Sequence, residues 1–461
     1  MKQFVLLLSM TMVGAVASLW EPFWGVLLYY TFAVLRPQHM WAWVLPVRWR
    51  WSLYAALIVL LGVALNLHRV VIKGRFTTVT SMMIVYGVLL LISCITAHDP
   101  TIAQTWGIEY AKVMLIALIA SVVIEKLWQV RMLTVMILLM LSYIAWEINY
   151  LYLFENHRLD VFHYGYGGLD NNGAGLMLAM GLPFAYAYGT SARRWWQRIG
   201  CCGFAVVILH AVMMTYSRGA MLAGLVGVAW VLVHHRARIQ AVLITVVLCM
   251  VISVLAGTEI RQRLMSTTNF QQDSSAQSRL DSWDAAWTLA WENPLTGQGI
   301  RNSSRYTHNY GADTQGRTIH SLYLQIAADS GFPALAAYLA MLAAAFVSLR
   351  VTRRMYRDHL PGQLSGRDPP DDDRELQQID KLALATEGSL VIFAFGAVFL
   401  SLEMFELPWL LIVIAGLLPG AVERHLAHGT NLQAAPATIT EANHPHGRLR
   451  LAGVGKGPAR P

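Results

Sequence analysis

Charge is scarce in this sequence: of 461 residues only 13% are Asp, Glu, Lys or Arg, while 56% are hydrophobic, and an ordinary soluble domain carries about twice that charged share. A soluble fold has too little polar surface to cover so much apolar side chain. Cysteine is scarce too. Cys94, Cys201, Cys202 and Cys249 all fall in or beside apolar runs, without the spacing of a zinc site or a disulfide framework, and read as inert buried thiols. There is no HExxH, P-loop or GxSxG, which removes the commonest metalloprotease, ATPase and serine-hydrolase readings. Lysine is nearly absent, with Arg outnumbering it 29 to 6. The net charge of +8 does not signal nucleic acid, because no basic stripe or base-stacking module accompanies it; the arginines sit in short segments beside apolar runs.

What is abundant is long uncharged stretches, and about 20 apolar residues suffice for a bilayer-spanning helix. Such runs fall near residues 3–18, 22–35, 51–67, 79–97, 107–124, 132–154, 173–190, 199–216, 219–233, 239–257, 322–349, 386–402 and 407–421. The expected fold is an all-α polytopic membrane protein of about 12–13 transmembrane helices. The first twenty residues resemble a secretory signal, with Lys2 and Ala15-Val16-Ala17, but a second apolar run follows at once, which favours a retained hairpin.

Basic segments set the orientation. Arg193, Arg194 and Arg198 form one group, Arg236 and Arg238 a second, and Arg350, Arg353, Arg354 and Arg357 a third. All three belong in the cytoplasm, with Lys73/Arg75 and Lys126/Arg131. The turn at Tyr216-Ser217-Arg218-Gly219, the stretch 155–172 and the long polar stretch ending at Ile319 then lie outside, and parity puts the N-terminus outside as well unless one of the first two runs fails to cross. The chain divides into N-terminal membrane helices over 1–257, an extracytoplasmic loop over 258–320, C-terminal membrane helices over 321–424 that include a charged cytoplasmic loop at 351–384, and a disordered cytoplasmic tail over 425–461.

The outer loop carries a helix signature. Cap-type residues Asp273, Ser274 and Ser275 precede Leu280, Trp283, Trp287 and Trp291, which recur every three or four positions as one aromatic face, and Pro294 and Gly297 end it. Such a helix suits the membrane interface, as a lid or a substrate contact. Arg279 stands in its early part and Arg218 at the outer mouth of a hairpin. A guanidinium offers a planar fork of donors to phosphate oxygens, so the two can hold a diphosphate; snorkelling, or pairing of Arg279 with Asp284, would equally account for either. His320 closes the loop where the chain re-enters the membrane, and a neutral imidazole there can take a proton from a hydroxyl. Asn171 and Asn172, within Asp170-Asn171-Asn172-Gly173, suit a helix cap or sugar hydroxyls. Arg301, Arg305, His308 and Arg317 are further phosphate candidates or solvated charges. Lys112 and Glu147 lie inside apolar runs, where a charge is costly enough to hint at function, as an ion pair or along an acceptor path. Asp371 to Asp373 are cytoplasmic, so the outer loops hold no DxD-type motif and a metal-independent reaction without cofactors is expected.

Tyr216-Ser217-Arg218-Gly219-Ala220, then Ser278-Arg279 with Trp283, then Pro294-Leu295-Thr296-Gly297-Gln298-Gly299, then His320-Ser321 with Leu324 and Gly331, in that order and on one side of a many-helix protein, resemble the bacterial O-antigen ligase and polymerase superfamily. Pro37-Gln38-His39 after two short apolar runs is more similar to the exosortase-associated ligase branch. The resemblance implies a metal-independent inverting glycosyltransferase of the GT-C class in the bacterial inner membrane, active at its periplasmic face in lipopolysaccharide biosynthesis. The donor it implies is undecaprenyl-diphosphate-linked O-antigen and the acceptor lipid A-core. By the same resemblance, Arg218 and Arg279 engage the diphosphate and His320 deprotonates the acceptor hydroxyl. An O-antigen polymerase or a protein O-oligosaccharyltransferase would share donor and fold but use another acceptor, and a transporter would use Lys112 and Glu147 as gating charges.

Overall fold

The computed structural model describes residues 2–45, 49–68, 70, 76–157, 160–234, 274–309, 319–359, 371–402 and 404–434. The chain divides into Met1–Val422, which holds every contact discussed below, and Glu423–Pro461. Among the described residues there is no β-strand, only one isolated bridge between Tyr166 and Leu169. In chain order the helices are α1 (Lys2–Trp20), α2 (Pro22–Leu35), α3 (Pro37–Met40), α4 (Trp51–Leu65), α5 (Thr78–Ile95), α6 (Pro100–Val123), α7 (Leu127–Phe154), α8 (Asp160–Tyr164) and α9 (Asn171–Ala179). They continue with α10 (Leu182–Ser191), α11 (Trp195–Met214), α12 (Arg218–His234), α13 (Ser274–Glu292), α14 (Ser303–Tyr306), α15 (Leu322–His359), α16 (Asp371–Gly396) and α17 (Glu406–Ala434).

Among the described residues, seven helical stretches are long and apolar enough to cross a membrane: Lys2–Trp20, Thr78–Ile95, Pro100–Val123, Leu127–Phe154, Trp195–Met214, Leu322–Asp358 and Glu406–Ala427; Trp51–Leu65 and Arg218–His234 are shorter apolar helices. The protein is thus an all-α, multi-pass membrane protein. The expectation of 12–13 full spans exceeds this number for reasons visible in the chain. The run 173–190 is two helices, broken after Ala179, because Pro183 lacks an N–H and its ring would meet the Ala179 carbonyl; Ser389 Oγ donates to the Met180 carbonyl at the break (2.7 Å). α2 has only 14 residues, and the run 239–257 lies outside the described residues, as do Lys73/Arg75 and Arg236/Arg238.

Helices also run past the apolar stretches that announced them. Much of the charged segment expected as a loop over 351–384 is helix, since α15 continues to His359 and α16 begins at Asp371. Their charges pair: Arg353 meets Asp380 and Glu387 (both 3.2 Å), with Glu387 wholly buried. Residues 425–434 of the expected tail belong to α17; 435–461 lie outside the described residues. The cysteines are less buried than expected: Cys94 and Cys201 are half-buried and Cys202 is exposed, which suits thiols on lipid-facing helix surfaces. Cys249 is outside the described residues.

Polar contacts sort the helix ends into two groups. At one end Arg131 pairs with Glu375 (3.0 Å), Lys381 Nζ donates to Thr190 O (2.8 Å), and Gln129 Nε2 donates to Glu21 Oε1 (3.1 Å). That end also holds Arg353, so three of the basic groups meet there. At the other end Arg36 donates to Gly167 O (2.8 Å) and pairs with Glu406 (3.1 Å), Asp99 N donates to Asn302 Oδ1 (2.9 Å), and Asn171 Nδ2 donates to Thr215 O (3.0 Å). The start of α1 belongs to this second end, through Phe4 against Trp49 and Trp51. The alternation of ends demanded by parity therefore holds along the described helices.

Candidate functional site at one helix end

The second end is built around α13 and the kinked α15. α15 is interrupted at Gly331 (φ 82°, ψ 169°), leaving a short arm from Leu322 to Ser330. A kink strips partners from the last carbonyls of that arm, and the segment after α13 supplies replacements. Gln298 N donates to Ala328 O and Gly299 N to Asp329 O (2.9 Å each), Ser93 Oγ reaches Asp329 O (2.8 Å), and Phe332 N donates to Pro294 O (2.8 Å). The buried Asp329 carboxylate accepts from Ser303 N (2.9 Å) and Ser303 Oγ (2.6 Å) through Oδ1 and from Gln325 Nε2 (3.3 Å) through Oδ2. Pro294-Leu295-Thr296-Gly297-Gln298-Gly299 is therefore a capping segment for a broken helix.

On this base α13 packs its small residues inward. Ala286, Leu289 and Ala290 are buried with Ile319, Ala327 and Ala328. The aromatic face expected to lie at the membrane interface is mostly outward: Leu280, Trp287 and Trp291 are exposed and Trp283 turns in. The reason is packing distance, since Ala and Ser let α13 approach α15 more closely than indoles would. Trp287 and Trp291 instead flank Phe332, with ring centroids 5.8 and 4.9 Å away.

Two contacts draw the sequence motifs together. Ser282 Oγ, buried, lies 2.9 Å from the Arg279 carbonyl and 3.2 Å from the Ile319 carbonyl, which ties the turn bearing Arg279 to the residue before His320. One position on, Trp283 lies 6.1 Å from Phe399 between ring centroids, and the Phe399 Cβ is also the nearest atom to the Cβ position of Gly219, at 3.9 Å. Phe399 thus stands between the helix of Arg279 and the start of the helix of Arg218. Leu322 N donates to Ala397 O (2.9 Å) and Tyr323 Oη to Ala394 O (2.8 Å), pinning the residues after His320 to the same wall. His320 has φ 53° and Tyr216 φ 52°, left-handed conformations that cost energy in non-glycine residues and persist where surroundings enforce them. Arg218, Arg279 and His320 are each partly exposed, and the Trp283 indole N–H is buried with no hydrogen-bond partner among the described residues.

The start of α12 is preorganised. Ser217 Oγ accepts from Ala220 N (3.2 Å) as an N-cap and donates to Asn172 Oδ1 (2.7 Å). Asn171 holds the Thr215 carbonyl, as above, while Asp170 caps α9 through Gly173 N (2.8 Å). Asp170-Asn171-Asn172-Gly173 is thus both a cap and a clamp on the turn that carries Arg218. That turn places a guanidinium at a helix N-terminus, where the backbone dipole also favours an anion.

The other candidates sit apart from this junction. Arg305 pairs with Asp99 (3.2 Å). Arg301, at φ 60°, lays its guanidinium over Trp106, 4.8 Å from the ring centroid; burial lowers its pKa and Asp329 opposes that shift. Lys112 pairs with Glu109 (2.7 Å), a neighbour on its own helix, which Arg50 also approaches (3.5 Å). The His308 side chain and Arg317 lie outside what is described. Ser282, Phe399 and Asp329 were missed in the sequence: a serine on a helix, an isolated phenylalanine and an aspartate inside an apolar run carry no motif.

Long apolar helices, a kinked helix after His320 and a capped turn before Arg218 define a class, an all-α multi-pass membrane protein. Within that class, residues 203–339 match the family model described as O-antigen ligase, a segment that contains Arg218, Arg279 and His320. The match covers under a third of the chain and supports the resemblance to the O-antigen ligase and polymerase superfamily over that segment. A comparison with curated proteins found no match.

Proposed function

We propose that this protein is an O-antigen ligase. It transfers a glycan from undecaprenyl diphosphate to a hydroxyl of lipid A-core at the periplasmic face of the bacterial inner membrane. The observation that supports this reading is a set of contacts beside the proposed residues: Ser282 with Ile319, and Phe399 with both Trp283 and Gly219, next to the Arg218, Arg279 and His320 of the matched segment.

The chemistry follows from charge. The donor is already activated, and its leaving group departs as a diphosphate anion. Arg218, at a helix N-terminus, and Arg279 bind that anion more tightly as charge develops, which lowers the barrier. His320 takes the proton of the acceptor hydroxyl as its oxygen bonds to the anomeric carbon, and the C–O bond to the diphosphate breaks on the opposite face, inverting the centre. No nucleotide or metal enters this scheme. The Trp283 N–H supplies an additional donor facing the same wall. The positive-inside pattern supports the periplasmic assignment, because the basic groups collect at the end away from this junction.

Deleting the gene and analysing lipopolysaccharide together with lipid-linked glycan tests the reading. A ligase leaves unsubstituted core while long polymer accumulates on undecaprenyl diphosphate. Core carrying single repeats would mark a polymerase instead, and normal lipopolysaccharide would exclude both.

A further inference from the structure

A second polar cluster lies at the same helix end, outside the residues used above. Glu147 is on α7, one turn beyond Tyr143, and its Oε2 is buried without a hydrogen-bond partner among the described residues. The Tyr166 hydroxyl is likewise buried and without a hydrogen-bond partner among the described residues, and Glu147 and Tyr143 are ionisable groups that act on it electrostatically. α3 closes the cluster: Trp41, just beyond it, meets Tyr143 at 6.4 Å between ring centroids, and the Gln38 Oε1 within it is also buried and unpartnered. Arg36 Nη1 donates to the Gly167 carbonyl next to Tyr166 (2.8 Å), and the His39 ring lies beside Gly168.

Unpartnered buried polar atoms are rare, and each one calls for a ligand or an ordered water. Here the set is a carboxylate oxygen, an amide oxygen and a phenol, and the one guanidinium beside it, Arg36, is paired with Glu406 and Gly167 O. Such an acceptor-rich set suits a ligand that donates several neutral hydrogen bonds. Aromatic rings lead away from it along α7, from Tyr143 to Trp146 (5.8 Å), to Tyr150 (5.6 Å) and to Phe154 (5.4 Å), with Trp146, Tyr150 and Phe154 exposed. Flat rings beside acceptors match the C–H faces and hydroxyls of a pyranose. The cluster is also close in the chain to the clamp on the turn of Arg218, since four residues separate Tyr166 from Asn171, which holds Thr215.

We infer that Glu147 and Tyr166 form a carbohydrate subsite, binding sugar hydroxyls of the acceptor beside the transfer site. The assignment of that sugar to an acceptor rests on the function proposed above; the sugar site itself does not. The full-length protein in nanodiscs is titrated with N-acetylglucosamine and with glucose, and binding is followed by saturation-transfer difference NMR. Inorganic pyrophosphate binding is followed in parallel by phosphorus NMR. Glu147→Gln and Tyr166→Phe should each weaken sugar binding about tenfold, the size of one hydrogen bond to a charged or buried partner, and leave pyrophosphate binding unchanged. In reconstituted transfer both should raise the acceptor KM with kcat within about twofold. Should Glu147→Gln unfold, Tyr166→Phe carries the comparison alone. Absence of saturable sugar binding in the wild type, or equal binding in the folded variants, overturns the subsite. Sugar binding lost in the variants but normal lipopolysaccharide in a gene deletion leaves the subsite standing and overturns the ligase reading.

Discussion

Ser282 has no chemistry of its own, yet its hydroxyl lies between the Arg279 and Ile319 carbonyls. Removing it leaves a buried carbonyl short of a donor, at about 1 kcal/mol, and loosens the backbone that fixes His320 at φ 53°. Ser282→Ala should therefore lower kcat of reconstituted transfer several-fold with little change in thermal unfolding, and wild-type kcat would show that the bridge does not position His320. A second residue links to pH. Burial, and then the neighbouring Arg36, lower the His39 pKa, so the folded protein favours neutral His39 while the unfolded chain titrates near 6.5. Stability from this group is complete above that value and declines as pH falls through it toward the folded pKa. Unfolding midpoints at about pH 7.5 and pH 5 should separate for the wild type, and the separation should shrink in His39→Gln. At this scale the sequence displayed the proposed residues, because Arg218 and His320 each border an apolar run and Arg279 stands early in an amphipathic helix. It did not display Ser282 and Phe399, because bridging carbonyls and filling a wall leave no spacing to read.

The elements show why the glycine-rich stretch after α13 has its composition. Gly297 has φ +66° and a Cβ there would lie 2.3 Å from the Asp329 backbone; Gly331 has φ +82° and would meet the Leu295 backbone at 2.5 Å. The two segments cap one another, so Gly297→Ala or Gly331→Ala both strains φ and separates the broken helix from its hydrogen-bond donors. Each should cost more than about 2 kcal/mol and reduce folded, membrane-inserted protein in detergent-solubility measurements. Gly200→Ala, with nothing within 4 Å of its Cβ position, is the matched control and should be neutral. Apolar runs located most helices within a few residues, since the bilayer enforces a hydrophobic length. They failed where a proline splits a run, at 173–190, and where helices extend by pairing charges, at Arg353 with Glu387. For α13 the spacing identified the helix and its aromatic face, but not the alanine face that packs against α15, because amphipathic spacing does not show which side a close-packed partner selects.

For the whole molecule, the sorting of polar contacts into two ends makes orientation testable. Single cysteines at Trp291 and Leu295, both exposed, should react with a membrane-impermeant maleimide in intact spheroplasts. Cysteine at Lys381, at the opposite end, should react only after permeabilisation. The reverse pattern would put the junction in the cytoplasm, where the proposed donor is not presented. The central claim is that Arg218, Arg279 and His320 are one transfer site. It is tested most directly by purified protein in liposomes, supplied with undecaprenyl-diphosphate glycan and lipid A-core, comparing wild type with Arg218→Ala, Arg279→Ala and His320→Ala at matched folded amounts. The prediction is glycan transfer by the wild type and a loss of at least about a hundredfold in each variant; transfer by His320→Ala at the wild-type rate would contradict it.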